Sequence, residues 1–362
     1  MIKLRKVVRV YTWVWLLTLL MMTMLLRNTM PTAEISAEEP EFVIVVCRDH
    51  TQDGKIANSY QRQLQQISVL LKSAAALTSR TLRFNIVSDT YKTYEEVTNI
   101  TQAWPIEYKQ RIVFGDFKRI YYPPGTEKMK NMFRLCATER LFLAQTFEEK
   151  DALIFLDTDV LFLRPPEYLW GHIHNFTTEQ AIGIAPCPLH VWPAVQKGKA
   201  PYTLRKEGQE KVKFPTYGSS GLNAGVLLMN LTRIRSFEGG WTESVINIVK
   251  KYGNKLALAD QDILNILFSN KTTATHLYEL GCEWNYRPKL CSLGSNTCGR
   301  AEVAGVGVLH GAALTFYNGI EQKFQAVYEA WQQYRLEDSL SEFVERLQAT
   351  LQHQVGLRDA PK

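Results

Sequence analysis

Seventeen uncharged residues, Val10 to Leu26, follow a basic head carrying Lys3, Arg5, Lys6 and Arg9. A helix of that length rises about 26 Å, close to the roughly 27 Å hydrocarbon core of the endoplasmic reticulum. Positive charge on the N-terminal side holds that end in the cytoplasm, which would make everything after Arg27 lumenal. A cleaved signal peptide is the rival reading. The run is longer than the usual 7–15 residues of such segments, and no small-x-small cleavage site follows closely. The expectation is a single-pass type II protein of the endoplasmic reticulum or Golgi membrane. Its parts would be a cytoplasmic head (1–9), a signal anchor (10–26), a stem (27–40), one lumenal globular domain (41–354) and a short tail (355–362).

Composition is that of an ordinary globular chain, with 46% hydrophobic and 22% charged residues. Four of the positive charges behind the net +6 sit in the head. The remainder is nearly neutral, with no basic stripe that would point to nucleic acid. Six cysteines in a domain this large make no disulfide scaffold. Cys47 and Cys136 lie in apolar runs and read as buried thiols. Cys282, Cys291 and Cys298 share a loop-like stretch; Cys291 and Cys298 are expected to pair, with Cys282 the competing partner for either. Zinc is a weaker alternative there, because paired C-x2-C spacing is absent. Asn99, Asn175, Asn230 and Asn270 open N-x-[ST] sequons, the third directly after a hydrophobic run.

Continuous apolar runs at Phe42–Cys47, Leu82–Val87 and Ala152–Leu156 suit strands buried on both faces of a parallel sheet. Helical periodicity predicts helices around Ser59–Thr78, Met129–Thr146, Trp241–Tyr252, Glu321 onward and Leu340–Leu351. Ala181–Ala185 and Ala224–Met229 read as further strands. The alternation predicts an α/β domain with an open, mostly parallel sheet covered by helices. Pro186 to Gly221 is long and aperiodic, as functional loops are.

Asp157 and Asp159 stand inside an otherwise apolar run from Ile154 to Leu163. Burying two carboxylates without a partner would cost several kcal/mol. At the tip of a parallel strand they can grip one divalent cation, although two solvated aspartates at a strand end would look the same. Asp260 opens a helical stretch, where an N-cap is the simpler role. His310 ends a short apolar strand, and Gly311 beside it lets backbone approach a ligand.

Phe155–Asp159, Leu222–Val226, Asp260–Asn265 and His310-Gly311 occur in the order found in glycosyltransferase family 8. The stretches Arg140–Leu143, Asp157–Pro165, Gly225–Arg233, Cys282–Pro288 and Gln322–Ala330 resemble the animal glucoside xylosyltransferases within it. The resemblance spans about Phe42 to Trp331. It implies a GT-A type fold and a retaining, metal-dependent enzyme that takes a nucleotide sugar. The donor would be UDP-xylose, the cofactor Mn2+, and the acceptor O-linked glucose on EGF-like repeats of the Notch type.

Carried over residue by residue, Asp157, Asp159 and His310 resemble the metal ligands, with Thr158 and Gly311 beside the donor. Arg134 resembles a basic residue that contacts donor sugar or phosphate. Asn223 and Asp260 resemble groups that hold donor-sugar hydroxyls, and Gln261 the residue beneath the anomeric carbon. The end of the first strand, Val46-Cys47-Arg48, would lie near uridine. Trp284 and Asn285, with Tyr286, are expected to bind the acceptor, since an indole face suits the C–H surface of a sugar. Core packing is the competing role for Trp284.

The chain departs from the family pattern after His310, where Ala312-Ala313-Leu314-Thr315 stands in place of a basic residue. Two alternatives follow. One is a family 8 transferase using UDP-glucose or UDP-galactose on another glycan; the other is a catalytically silent lectin-like or scaffold protein on the same fold.

Overall fold

The computed structural model describes residues 38–48, 57–132, 135–187, 215–218, 221–290 and 296–358. The expected anchor (10–26), Arg134, Cys291 and most of 186–221 lie outside the described residues. Among the described residues no helix is long and apolar enough to cross a membrane.

Strands β1 (Glu41–Val46), β2 (Leu82–Ser88), β5 (Ala152–Leu156) and β8 (Leu222–Asn230) form the middle of the sheet. They are apolar on both faces because both faces are covered. Phe42, Ile44 and Val46 point to one side, where Ile67, Leu70, Leu71 and Ala74 of helix α1 (Ala57–Leu77) pack on them. Val43, Leu153 and Phe155 point to the other side, against Trp241 and Val245 of α2 (Trp241–Tyr252) and Ile263 and Leu264 of α3 (Asp260–Leu267).

The remaining strands of this sheet are β3 (Ile112–Phe114), β4 (Lys118–Arg119), β7 (Ile182–Pro186) and β9 (Leu277–Glu279). The order is β3-β2-β1-β5-β8-β7-β9, with β4 also on β2. All pairs are parallel except those made by β8, which runs against both β5 and β7. The mostly parallel sheet read from the sequence is thus observed, with one reversed strand in its interior.

A second, two-stranded sheet joins β6 (Val160–Phe162) to β10 (Val308–His310). Helices α4 (Gln322–Gln333) and α5 (Leu340–Arg358) cover it through Phe324, Val327, Tyr328, Trp331 and Phe343. Lys72 of α1 donates to the carbonyls of Trp331, Gln332 and Tyr334 at 3.3, 3.0 and 2.8 Å, binding α1 to the end of α4.

Two expectations are corrected here. Met129 to Thr146 is not one helix: short 3-10 turns at Glu127–Asn131 and Ala137–Phe142 precede one helical turn at Leu143–Thr146. Cys136 sits between them with a φ of 63°, a left-handed conformation that interrupts any helix. The same residue is disulfide-bonded to Cys47 at the end of β1. These two are therefore not free thiols. Cys298 likewise pairs with Cys282 rather than with Cys291.

Candidate active site

Asp157 and Asp159 stand in the turn that joins β5 to β6, and His310 is the last residue of β10. Sheet register brings them together. Asp157 N donates to Gly225 O on β8 at 2.9 Å, and His310 is paired with Val160, next to Asp159. One ligand atom from each of the three lies within 4.8 Å of the other two. His310 Nε2 is 3.3 Å from Asp159 Oδ1 and 3.7 Å from Asp157 Oδ2. Gly225 makes room for the imidazole: a Cβ there would lie 2.2 Å from His310 Cε1 and 3.1 Å from Asp157 Oδ2.

A chain of amides orients that imidazole. Asn285 Nδ2 donates to Asn223 Oδ1 at 2.8 Å, leaving Asn285 Oδ1 to accept from His310 Nδ1, also at 2.8 Å. With the proton placed on Nδ1, the lone pair of Nε2 faces the two aspartates. Asn223 Nδ2 in turn donates to Gln261 Oε1 at 2.7 Å. Gln261, on the first turn of α3, is thereby linked through two asparagines to His310. Two carboxylates and an imidazole nitrogen suit a hard or borderline divalent cation.

Arg140 is the cation already in the site. Its Nη2 donates to Asp157 Oδ1 at 2.8 Å, its Nε lies 3.3 Å from Asp260 Oδ2, and its Nη1 donates to Ala224 O at 2.8 Å. The guanidinium carbon rests 4.2 Å from the centre of the Phe155 ring. Burial alone would lower its pKa, and the carboxylates of Asp157 and Asp260 outweigh that and raise it. Burial pushes the Asp260 carboxyl up to about 7, against the pull of Arg140. Asp260 is thus not a helix N-cap; its neighbour Ala259 holds that position, with a φ of 44°. Asp262 accepts from Leu258 N at 2.7 Å instead. A buried non-glycine residue at positive φ directly before Asp260-Gln261 is backbone strain of the kind that gathers at functional sites.

The sequence model described as Glycosyl transferase family 8 matches residues 44–310, about three quarters of the chain. The chain belongs to glycosyl transferase family 8. Among curated family members it is 33% identical over 289 residues to glucoside xylosyltransferase 2 of Mus musculus, covering 77% of this chain and 61% of that protein. It is 35% identical over 297 residues to glucoside xylosyltransferase 1 of Danio rerio, covering 78% and 68%. The chain therefore spans less than two thirds of the mouse relative's length. Its fold is similar to the galactosyltransferase LgtC in complex with donor and acceptor sugar analogs. The TM-score is 0.56 at 17% identity, over 83% of this chain and 98% of that one. It is also similar to mouse xyloside xylosyltransferase 1 in its apo form, with a TM-score of 0.51 at 18% identity over 77% and 99%. At those identities the likeness speaks for the fold, which is GT-A-like.

Asp157, Asp159, His310, Asn223, Gln261 and Asp260 all meet in this family 8 site. Other expectations change. Trp284 is only 2% exposed and packs in the core; Arg164 lies over its ring at 4.8 Å, His172 meets its edge at 5.7 Å, and Gly307 is small enough to admit it. It cannot offer a face to an acceptor sugar. Asn285 is fully buried and holds His310 rather than an acceptor. Tyr286 is buried too, stacked on Phe324. Cys47 has its sulfur in the disulfide to Cys136, which leaves the expected place of the strand end Val46-Cys47-Arg48 beside uridine untouched.

Thr158 turns its hydroxyl to Gln66 of α1 at 3.3 Å. Gly311 N donates to Asp159 O at 2.8 Å, and a Cβ on Gly311 would strike Phe316 at 2.3 Å, so close packing accounts for this glycine. Cys282, Glu283 and Cys298 also cluster, but the disulfide occupies both sulfurs. Of the sequons, Asn99, Asn175 and Asn270 are exposed; Asn230 is half-buried, with its side chain accepting from Arg233 N.

The residue missed from the sequence is Arg140. It was visible only as part of the Arg140–Leu143 stretch, with nothing in its spacing to say that it reaches both Asp157 and Asp260.

Proposed function

We propose that this family 8 protein transfers xylose with retention from UDP-xylose to O-linked glucose on EGF-like repeats, using Mn2+. The observation that carries the reading is the joining of Asp157, Asp159 and His310 with Gln261 through Asn223 and Asn285. The names of the relatives, at 33–35% identity, support xylose and a glucoside acceptor.

Asp157, Asp159 and His310 would hold the cation, which when bound neutralises charge on the departing diphosphate. Arg140 holds the carboxylates of Asp157 and Asp260, of which the first would bind the cation and the second the donor sugar. Gln261 is an amide and a poor nucleophile, which favours substitution on the front face of the sugar. The acceptor hydroxyl oxygen then bonds C1 as the C1–phosphate oxygen bond breaks, and the hydroxyl proton passes to the departing diphosphate oxygen.

The two disulfides suit an oxidising compartment, in keeping with a lumenal domain behind a membrane anchor at 10–26. Protection of the domain from protease in sealed microsomes tests that placement. Glycans on Asn99, Asn175 and Asn270 belong to the same proposal.

The test of activity is a donor panel. The secreted domain is incubated with Mn2+, a glucosylated EGF-like repeat and UDP-xylose, UDP-glucose or UDP-galactose. A pentose mass gain from UDP-xylose alone is expected. A hexose gain would move the reading to another donor, and no gain from any would favour a scaffold.

A further inference from the structure

Helix α1 lays one face along the turn that carries the two metal-site aspartates. Gln66 is buried, and its amide oxygen accepts from Thr158, the residue between them, at 3.3 Å. One turn earlier, at i−4 and so on the same face, stands Arg62, half-buried. Across from it the hydroxyls of Tyr317 and Tyr328 lie 2.8 Å apart, and Tyr317 also bonds Gln66. Burial drives both tyrosines up; the charge of Arg62 opposes the rise and that of Asp159 adds to it, so both charges are felt at the same pair of hydroxyls. Phe316, stacked on Tyr328 at 4.5 Å, fixes the segment that presents Tyr317.

The charge of the site gives this position its meaning. Asp157, Asp159 and Asp260 converge there, and Arg140 is tied to Asp157 and Asp260. From Gly311 to Gln322, directly after His310, the sequence contains no lysine or arginine. With Arg140 and a divalent cation offsetting the three aspartates, the charge of an entering nucleoside diphosphate is left over, and a further fixed cation beside Asp159 lowers its energy. A guanidinium also matches phosphate oxygens in pairs.

We infer that Arg62 binds the donor, its guanidinium bonding the diphosphate from the α1 side of the site. The inference rests on the nucleotide-sugar reading above.

Calorimetric titration of UDP, at saturating Mn2+, into the wild-type domain and into Arg62→Gln tests it. UDP should bind Arg62→Gln about ten- to a hundredfold more weakly, while Mn2+ alone binds within about twofold of wild type. UDP affinity within twofold of wild type would overturn the assignment, and so would parallel loss of UDP and Mn2+, which marks a structural role. If Arg62→Gln does not fold, Arg62→Lys decides: a loss of threefold or more supports the inference, and equality overturns it. Wild-type protein that binds no UDP would instead overturn the nucleotide-sugar reading itself, and the inference with it.

Discussion

His310 Nδ1 lies 2.8 Å from Asn285 Oδ1, and Asn285 Nδ2 is already engaged by Asn223. Both bonds together place a proton on Nδ1, so Nε2 is the ring nitrogen turned to Asp157 and Asp159 and the one that can ligate a cation. The partner of the second ring nitrogen sets both tautomer and orientation at such sites, and its loss typically weakens metal binding 10- to 100-fold. Asn285→Ala is therefore expected to lower Mn2+ affinity by about that factor. Water-proton relaxation during a Mn2+ titration reads it directly, and unchanged affinity would remove Asn285 from the site.

Gly225→Ala examines the same imidazole from the other side. The added methyl would sit 2.2 Å from His310 Cε1, far inside contact distance. Mn2+ affinity should fall about tenfold or more, with circular dichroism of the sheet unchanged. Wild-type affinity in this variant would mean that the imidazole does not lie against β8 as described.

The Cys47–Cys136 bond closes a loop of 89 residues and anchors the segment that leads into Arg140. Replacing both cysteines by serine should lower stability by about 2–4 kcal/mol, seen as an earlier urea midpoint. Loss of UDP affinity beyond what unfolding explains would show that the bond also places Arg140. Equal midpoints for the two proteins would contradict a structural bond.

Glu139, beside Arg140, is buried with Oε1 accepting from Tyr121 N and Thr146, while Oε2 has no hydrogen-bond partner among the described residues. Burial raises its pKa to about 8 from a starting value of 4.5. Between those values the folded state holds one more proton than the unfolded, so stability falls as pH rises through the window. The slope from one such group is at most about 1.4 kcal/mol per pH unit. Glu139→Gln should lose less stability than wild type between pH 6 and pH 8. Parallel urea midpoints at the two pH values would refute a buried, protonated Glu139.

The sheet and the cluster of Asp157, Asp159 and His310 were legible because each rests on a local pattern: apolar runs for β1, β5 and β8, and carboxylates or an imidazole where such a run ends. What stayed hidden depends on contacts between distant positions. Cys47 and Cys136 look like core thiols until the fold brings β1 against the loop before Arg140. Met129–Thr146 has helical spacing, yet the left-handed backbone at Cys136 interrupts it. Trp284 and Asn285 are adjacent in sequence but face opposite duties, one in the core and one on His310, and no periodicity in a 3-10 turn separates them.

The central claim is that Asp157, Asp159 and His310 hold a divalent cation on which transfer from a UDP-sugar depends. UDP release from UDP-xylose, with a glucosylated EGF-like repeat as acceptor, tests it in Mn2+ and in EDTA, for wild type and for Asp157→Asn. Turnover should appear only for wild type with Mn2+, and Asp157→Asn should stay folded yet inactive. Full turnover in EDTA, or in Asp157→Asn, would contradict the account.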